Sequence, residues 1–384
     1  MFNSQEKLPW VGTTIFTVMT ALANEYKAIN LAQGFPGYNP DPKLMELLSH
    51  YALNGWQQYA PMTGVPELRQ ALTKLIEYKY AKKIDSENEI TITAGATEAI
   101  FSAITAFICP NDEVIIIEPA YDSYKPAIEL CGAKAVPYTM QSPEFRVIWE
   151  DLEVLITSQT KLILINSPHN PTGKIFSHHD MVQLTQLATK HNLLVISDEA
   201  YEHLVFDNAK HEGALLYPEL WERTLTVSSL GKTFNNTGWR LGYLVANKKL
   251  TAQFRRVHQY VTFCSPTPLQ MALADYINLG FQPVDNLSTF YQEKRDRFLQ
   301  LIAPSRLKPL HTQGSFFQLL DYSAVSSLND LDFCKELVIK HGVACIPISP
   351  FVSSNSQGQQ DKVIRICFAK PDETLVSASS KLVF

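Results

Sequence analysis

Lys232 carries the most direct chemistry in this chain. It stands in the run Ser228-Ser229-Leu230-Gly231-Lys232-Thr233-Phe234, shortly before Gly238-Trp239-Arg240. A lysine amine forms imines with carbonyl compounds, and burial or a neighbouring cation raises its nucleophilicity by lowering its pKa. Small neighbours and a second cation suit an aldehyde held as a Schiff base with an anionic group anchored beside it. Most lysines are solvated surface groups, so the surrounding residues decide. Gly231-Lys232-Thr233 ends like a nucleotide phosphate loop, which needs a glycine five positions earlier. That position is Thr226, which excludes the loop and an ATPase with it.

Further residues could serve the same chemistry. Ala94-Gly95-Ala96-Thr97-Glu98 joins a strand-like run to a helical one. Gly95 permits a tight turn, and the free N–H groups of residues 96–98, with the Thr97 hydroxyl, would face an anion. The plainer reading is a helix start capped by Thr97. Asp198 ends an apolar run and precedes Glu199-Ala200-Tyr201. A carboxylate there can keep a heterocyclic nitrogen protonated and make the ring a better electron sink, and Tyr201 can donate to an oxygen near the aldehyde. A helix cap or core carboxylate is the bland alternative. Asn170, in Asn166-Ser167-Pro168-His169-Asn170-Pro171-Thr172-Gly173, is explained by a turn or by an amide facing a phenolic oxygen. Tyr121 could stack on an aromatic ring or simply fill the core. Arg365 lies in an apolar strand-like stretch, where an unpaired guanidinium is costly; a bidentate carboxylate partner is expected, from protein or substrate. His178-His179-Asp180 opens a helix whose adjacent side chains diverge, so no metal site is assigned.

These residues need a scaffold that gathers them. Strand-like runs at 90–93, 114–118, 161–166, 193–197 and 225–227 alternate with helical patterns, which predicts an α/β fold around a mostly parallel sheet. Each candidate follows a strand, and ligands in open α/β sheets collect beyond the carboxyl ends of strands. After about residue 275 the texture changes: a polar helical pattern through Tyr291-Gln292-Glu293-Lys294-Arg295, then Gly314-Ser315-Phe316-Phe317 and Val363-Ile364-Arg365-Ile366-Cys367, read as a smaller α+β domain. The polar stretch 353–360 reads as a mobile surface segment.

The bulk numbers agree. A chain of 384 residues suggests about two domains. Charged residues make up 18%, below the usual quarter, which suits a chain that buries surface in an oligomer. A net charge of −5 without a basic stripe argues against nucleic acid as a partner. Six cysteines without a CxxC pair read as small core hydrophobes in a reducing compartment. The N-terminal run does not look like a signal peptide, and no apolar run reaches membrane-spanning length. A soluble, cytoplasmic protein that does not act at a membrane is expected.

Taken together the motifs resemble the class I, fold-type I aminotransferases that use pyridoxal 5'-phosphate (PLP), in the branch with methionine and kynurenine aminotransferases. The resemblance rests on Asn30-Leu31-Ala32-Gln33-Gly34-Phe35-Pro36, Gln58-Tyr59-Ala60-Pro61-Met62-Thr63-Gly64, Ala94 to Glu98, Asn170-Pro171-Thr172-Gly173, Ser197-Asp198-Glu199-Ala200-Tyr201, Ser229-Leu230-Gly231-Lys232, Gly238-Trp239-Arg240 and Ile364-Arg365-Ile366. Each is modest alone; together, in the family's order, they are specific. The resemblance implies a large PLP-binding domain at 40–275 with a mostly parallel seven-stranded sheet between helices, and a small domain from 1–39 and 276–384.

It also implies roles. Lys232 would be the Schiff-base lysine in a ping-pong transfer of an amino group to a 2-oxo acid. Asp198 would pair with the pyridine nitrogen, Tyr201 and Asn170 with the phenolic oxygen, and Tyr121 would stack on the ring. Gly95, Ala96, Thr97, Ser229 and Arg240 would hold the phosphate, joined by Tyr59 of a second subunit in a homodimer. Arg365 would take the substrate carboxylate, with Asn170 and Gly34 nearby. Ile15 and Phe16, with Tyr59 and Phe263, would shape an apolar pocket for methionine, aromatic amino acids or kynurenine. Two departures stand out: Gly37-Tyr38 where relatives often place Asp after Gly-Phe-Pro, and Tyr121 where many carry Phe or Trp. A cysteine-S-conjugate β-lyase on the same scaffold is the alternative reading. An aminotransferase-like transcription regulator would need a DNA-binding extension.

Overall fold

Near-continuous apolar strands signal a sheet covered on both faces, and the computed structural model has one. It describes residues 6–353 and 362–384; the stretch expected as a surface segment therefore lies, beyond Ser353, outside the described residues. Seven strands lie in the order Ile90–Thr93, Gly242–Val245, Thr224–Ser229, Leu194–Asp198, Thr160–Asn166, Glu113–Glu118, Lys134–Thr139. All pairings are parallel except the two made by Gly242–Val245.

Alternation along the strands sends neighbouring residues to opposite faces. Val114 and Ile116 join a core with Ile100, Ile104 and Phe254, from the helices Ala96–Phe107 and Lys248–Val261. Ile115 and Ile117 face the other way, toward Leu184 and Leu187 of the helix His178–Lys190. Asp180 in that helix completes a capping box with Ser177, which accounts for the His178-His179-Asp180 run structurally. A third apolar cluster packs the helices Pro42–Leu53, Pro66–Tyr80 and Thr267–Asn278 against Ile90, Ile92 and Tyr243.

A four-stranded antiparallel sheet, in the order Ile346–Pro347, Val363–Cys367, Phe317–Asp321, Lys308–Pro309, carries Arg365 opposite Leu319 and Ile346. The long helix is Gln282–Ile302. The N-terminal strand Ile29–Asn30 pairs with Val343–Ala344, so the chain's beginning is tied to its last third. Cys334, Cys345 and Cys367 are buried, whereas Cys109 is exposed, so the core reading holds for only part of the set. Among the described residues no helix is long and apolar enough to cross a membrane.

Candidate active site

The parallel strands end along one edge, and the candidate residues gather there. Asn166 and Asp198 are paired last residues of adjacent strands, and Ser229 ends the next. A cavity of about 370 Å³ opens beyond them, lined by Lys232, Asp198, Tyr201, Asn170, Arg240 and Arg365. Gly34, Phe16, Ala96, Thr97, Tyr121 and Ser229 complete the predicted residues that reach it.

Lys232 sits on the short helix Leu230–Thr233 that follows its strand. Its Nζ donates to Gly34 O at 2.6 Å and lies 5.6 Å from the centre of the Tyr201 ring. Burial pushes its pKa down to about 8, and Arg240, Arg365 and Lys370 push the same way. The amine is therefore much closer to neutral at physiological pH than a surface lysine.

Asp198 is 6% exposed. Its Oδ2 accepts from the Tyr124 hydroxyl at 2.6 Å and its Oδ1 from Ala200 N at 3.1 Å. Burial raises its pKa to about 6, against the pull of those two hydrogen bonds. Behind it the Asn166 amide donates to Asp198 O at 2.8 Å, while Asn166 Oδ1 accepts from Asn170 N at 2.8 Å. One asparagine therefore fixes the carboxylate strand and the Asn170 turn together. Tyr201 is buried edge-on to Phe316 and Phe317, and burial holds its hydroxyl protonated well above the usual range.

The anion-facing end is built from helix Ala96–Phe107. Gly95, with φ +86°, is its N-cap rather than Thr97. The first backbone bond back to the cap is Ala99 N to Gly95 O at 3.2 Å, which leaves the N–H groups of residues 96–98 outside the helical ladder. A Cβ on Gly95 would stand 2.7 Å from Arg240 Nη2, so the glycine is what lets the guanidinium lie over the helix start. Arg240 has left-handed backbone (φ +54°). Its guanidinium donates to Thr237 O at 3.2 Å, and among the described residues it forms no ion pair.

Arg365 is buried, and among the described residues it has no ion pair with a protein carboxylate. Its Nη1 donates to Asn170 Oδ1 at 2.7 Å and its Nη2 to Ala32 O at 2.9 Å. The Phe317 ring lies 3.9 Å away, Nε has no hydrogen-bond partner among the described residues, and burial pushes the pKa down to about 10. Its hydrogen-bond acceptors are neutral, and Asp122 acts on the charge only from a distance, without an ion pair, so an incoming carboxylate has a cation waiting.

Four predicted residues do not line this cavity: Gly95, which lies beneath the Arg240 guanidinium, and Ile15, Tyr59 and Phe263. Ile15 begins the helix Ile15–Glu25 and packs on the main core. Tyr59 is 83% exposed and meets Phe263 edge-on at 5.4 Å; both face outward in the single chain. Conversely, Tyr124, Phe35 and Phe317 line the cavity although nothing in their spacing singled them out for a role.

A fold with its ligand site at the strand ends, a lysine amine inside it, a hydrogen-bonded carboxylate, and two guanidiniums without an ion pair among the described residues define the class. The chain belongs to the aminotransferase class I and II family, whose model matches residues 26–382, and it is an aminotransferase. It is 46% identical to the methionine aminotransferase of Escherichia coli K12 over 98% of this chain and 97% of that one. It is 34% identical to human kynurenine–oxoglutarate transaminase 3, over 98% of this chain and 89% of the other. Among solved structures, the Escherichia coli protein YbdL, assigned a methionine aminotransferase function, superposes with a TM-score of 0.96 at 45% identity, covering 100% and 99% of the two chains. N-succinyldiaminopimelate aminotransferase from Mycobacterium tuberculosis gives a TM-score of 0.95 at 34% identity and 99% coverage of both.

Proposed function

We propose that this aminotransferase uses PLP to move the amino group of an L-amino acid, methionine foremost, to a 2-oxo acid. The observation that carries the cofactor is the donor set of one cavity: an amine driven toward neutrality, a buried carboxylate, and a helix start under an unpaired guanidinium. An aldehyde, a pyridine nitrogen and a phosphate each find their complement there. The Gly95 cradle, which any Cβ would fill, fits a group that must approach helix N–H groups closely.

In this reading Lys232 would hold the aldehyde carbon and Asp198 the ring nitrogen. Asn170 and Tyr201 would face the phenolic oxygen, and Tyr121 the ring. Gly95, Ala96, Thr97, Ser229 and Arg240 would hold the phosphate. Bound PLP would supply an electron sink for the pair left at Cα when its proton departs. The chain's residues do the rest. Arg365 binds the substrate carboxylate and turns Cα toward Lys232. The Lys232 amine, driven toward neutrality by burial, would take the α-proton as general base and later give a proton back. Tyr201 stays protonated and donates throughout. The net exchange would release one 2-oxo acid and turn a second into its amino acid.

Phe16, Phe35 and Phe317 give the cavity an aromatic wall, which supports an apolar donor such as methionine, phenylalanine or kynurenine over an acidic one. The likeness to the Escherichia coli methionine aminotransferase points the same way. The exposed Tyr59 and Phe263 support a homodimer in which each copy completes the other's site, with Tyr59 joining the phosphate group across the interface. Ile15 and Phe263 would then border the mouth of the pocket. Residues 40–275 would form the cofactor domain, with 1–39 and 276–384 as the small domain, in a cytoplasmic protein. Purified protein with PLP should transaminate methionine faster than aspartate when given a panel of 2-oxo acids. Faster turnover of aspartate would refute the pocket assignment, and pyruvate and ammonia formed from cysteine conjugates without an acceptor would indicate a lyase.

A further inference from the structure

Lys370 is a buried cation that the reaction outlined above leaves unused. Lysine is rarely buried without a partner charge, because an ammonium withdrawn from water is costly unless something compensates it. Lys370 is 5% exposed, and among the described residues it has no carboxylate partner. Its Nζ donates instead to Phe35 O at 2.9 Å and Gln33 O at 3.4 Å, and it lies 4.2 Å from the centre of the Phe35 ring. The carbonyl between those two, Gly34 O, accepts from Lys232. Three consecutive carbonyls of one turn are thus divided between the side-chain nitrogens of Lys370 and Lys232.

Other contacts dock the same turn. Gly37 N donates to Ala369 O at 2.8 Å, and the Tyr38 hydroxyl donates to Lys370 O. A Cβ on Gly34 would stand 2.7 Å from the Phe317 ring, the ring that also lies under Arg365. The 33–35 turn is therefore pressed on Phe317 from one side and held by the Lys370 ammonium from the other.

We infer that Lys370 is a positioning residue: its ammonium pins the 33–35 turn, setting Gly34 O opposite Lys232 Nζ and Phe35 against the cavity. The inference rests on the Lys232 role proposed above. The same charge has an electrostatic consequence. Burial is the main reason the Lys232 amine is held toward neutrality, and Arg240, Arg365 and Lys370 add to it while Cys367 opposes. Asp198 and Tyr201 face the same amine. Asp372, paired with Lys294, and Glu373 act on Tyr38.

The test compares wild type with Lys370→Met, which keeps the length of the side chain, and Lys370→Arg, which keeps the charge and donors. In cofactor-free protein, hydrogen exchange of a peptide covering residues 32–37 should rise ~10-fold in the methionine variant, with the rest of the chain unchanged. The arginine variant should stay near wild type. With PLP added, the pH at which half the protein has formed the Lys232 linkage, read by absorbance, should move up by ~0.5–1 unit in the methionine variant only. Unchanged local exchange, or a midpoint that stays or falls, overturns the inference. Lys370→Gln carries the same comparison should the methionine variant not fold. If wild type itself shows no such absorbance, the Lys232 reading fails, and the exchange comparison alone still decides whether Lys370 holds the turn.

Discussion

Tyr124→Phe isolates a single hydrogen bond at the centre of the site. The hydroxyl donates to Asp198 Oδ2 at 2.6 Å with both residues buried, and the phenylalanine ring fills the same space. A hydrogen bond to a charged group is worth about 1.5–3 kcal/mol, and one pKa unit is about 1.4 kcal/mol. Removing the bond should raise the Asp198 pKa by ~1–2 units above its value of about 6. At pH 7 the ionised fraction then falls from roughly nine-tenths to half or less. A ¹³C NMR titration of carboxylate-labelled aspartate in the cofactor-free protein, with the Asp198 signal assigned through Asp198→Asn, measures the midpoint directly. In protein loaded with ¹⁵N-labelled PLP, if Asp198 pairs with the ring nitrogen as proposed, that nitrogen should lose proton character in the variant, which its shift reports. A midpoint that does not rise in a variant that folds like wild type would refute the claim that Tyr124 keeps Asp198 ionised.

Three other outcomes follow from the same geometry. Gly95→Ala combines a strained positive φ with a Cβ 2.7 Å from Arg240; it should weaken PLP binding ~10-fold or more, measured by fluorescence titration, while Gly55→Ala, also at positive φ but with open space around it, should leave binding unchanged. Arg365→Met should raise KM for amino acids by ~30- to 1,000-fold, the equivalent of about 2–4 kcal/mol for a lost buried charge pair, while PLP affinity holds; steady-state kinetics separates the two. Because burial lowers the Lys232 pKa to about 8, the fraction of reactive neutral amine should climb through pH 8 and level off above it. The rate of PLP uptake by cofactor-free protein should follow that curve, whereas a rise only near pH 10 would mean the amine is not held toward neutrality.

Much of this site is legible in the sequence because strands deliver residues to one edge. Asp198, Ser229 and Lys232 each follow an apolar run, so a parallel sheet brings them together wherever its helices lie. Gly95 is legible for a similar reason, as a glycine between a strand and a helix. Arg365 was legible as a buried cation with Asn170 beside it, whereas its bond to the Ala32 carbonyl was not. Contacts between distant parts of the chain were out of reach. Lys370 meets residues 33 and 35 across more than three hundred positions, and local periodicity carries no information about such pairs. Tyr124 begins a seven-residue helix, too short for its pattern to say which side faces the cavity.

The central claim is that Lys232 is the residue that bonds to the cofactor aldehyde. Purified protein incubated with PLP, reduced with borohydride, digested and mapped by mass spectrometry tests it without depending on turnover or on the choice of substrate. One adduct of phosphopyridoxyl mass at Lys232, absent from Lys232→Ala, is the expected result. An adduct at another lysine, or none while Lys232→Ala transaminates normally, would contradict it.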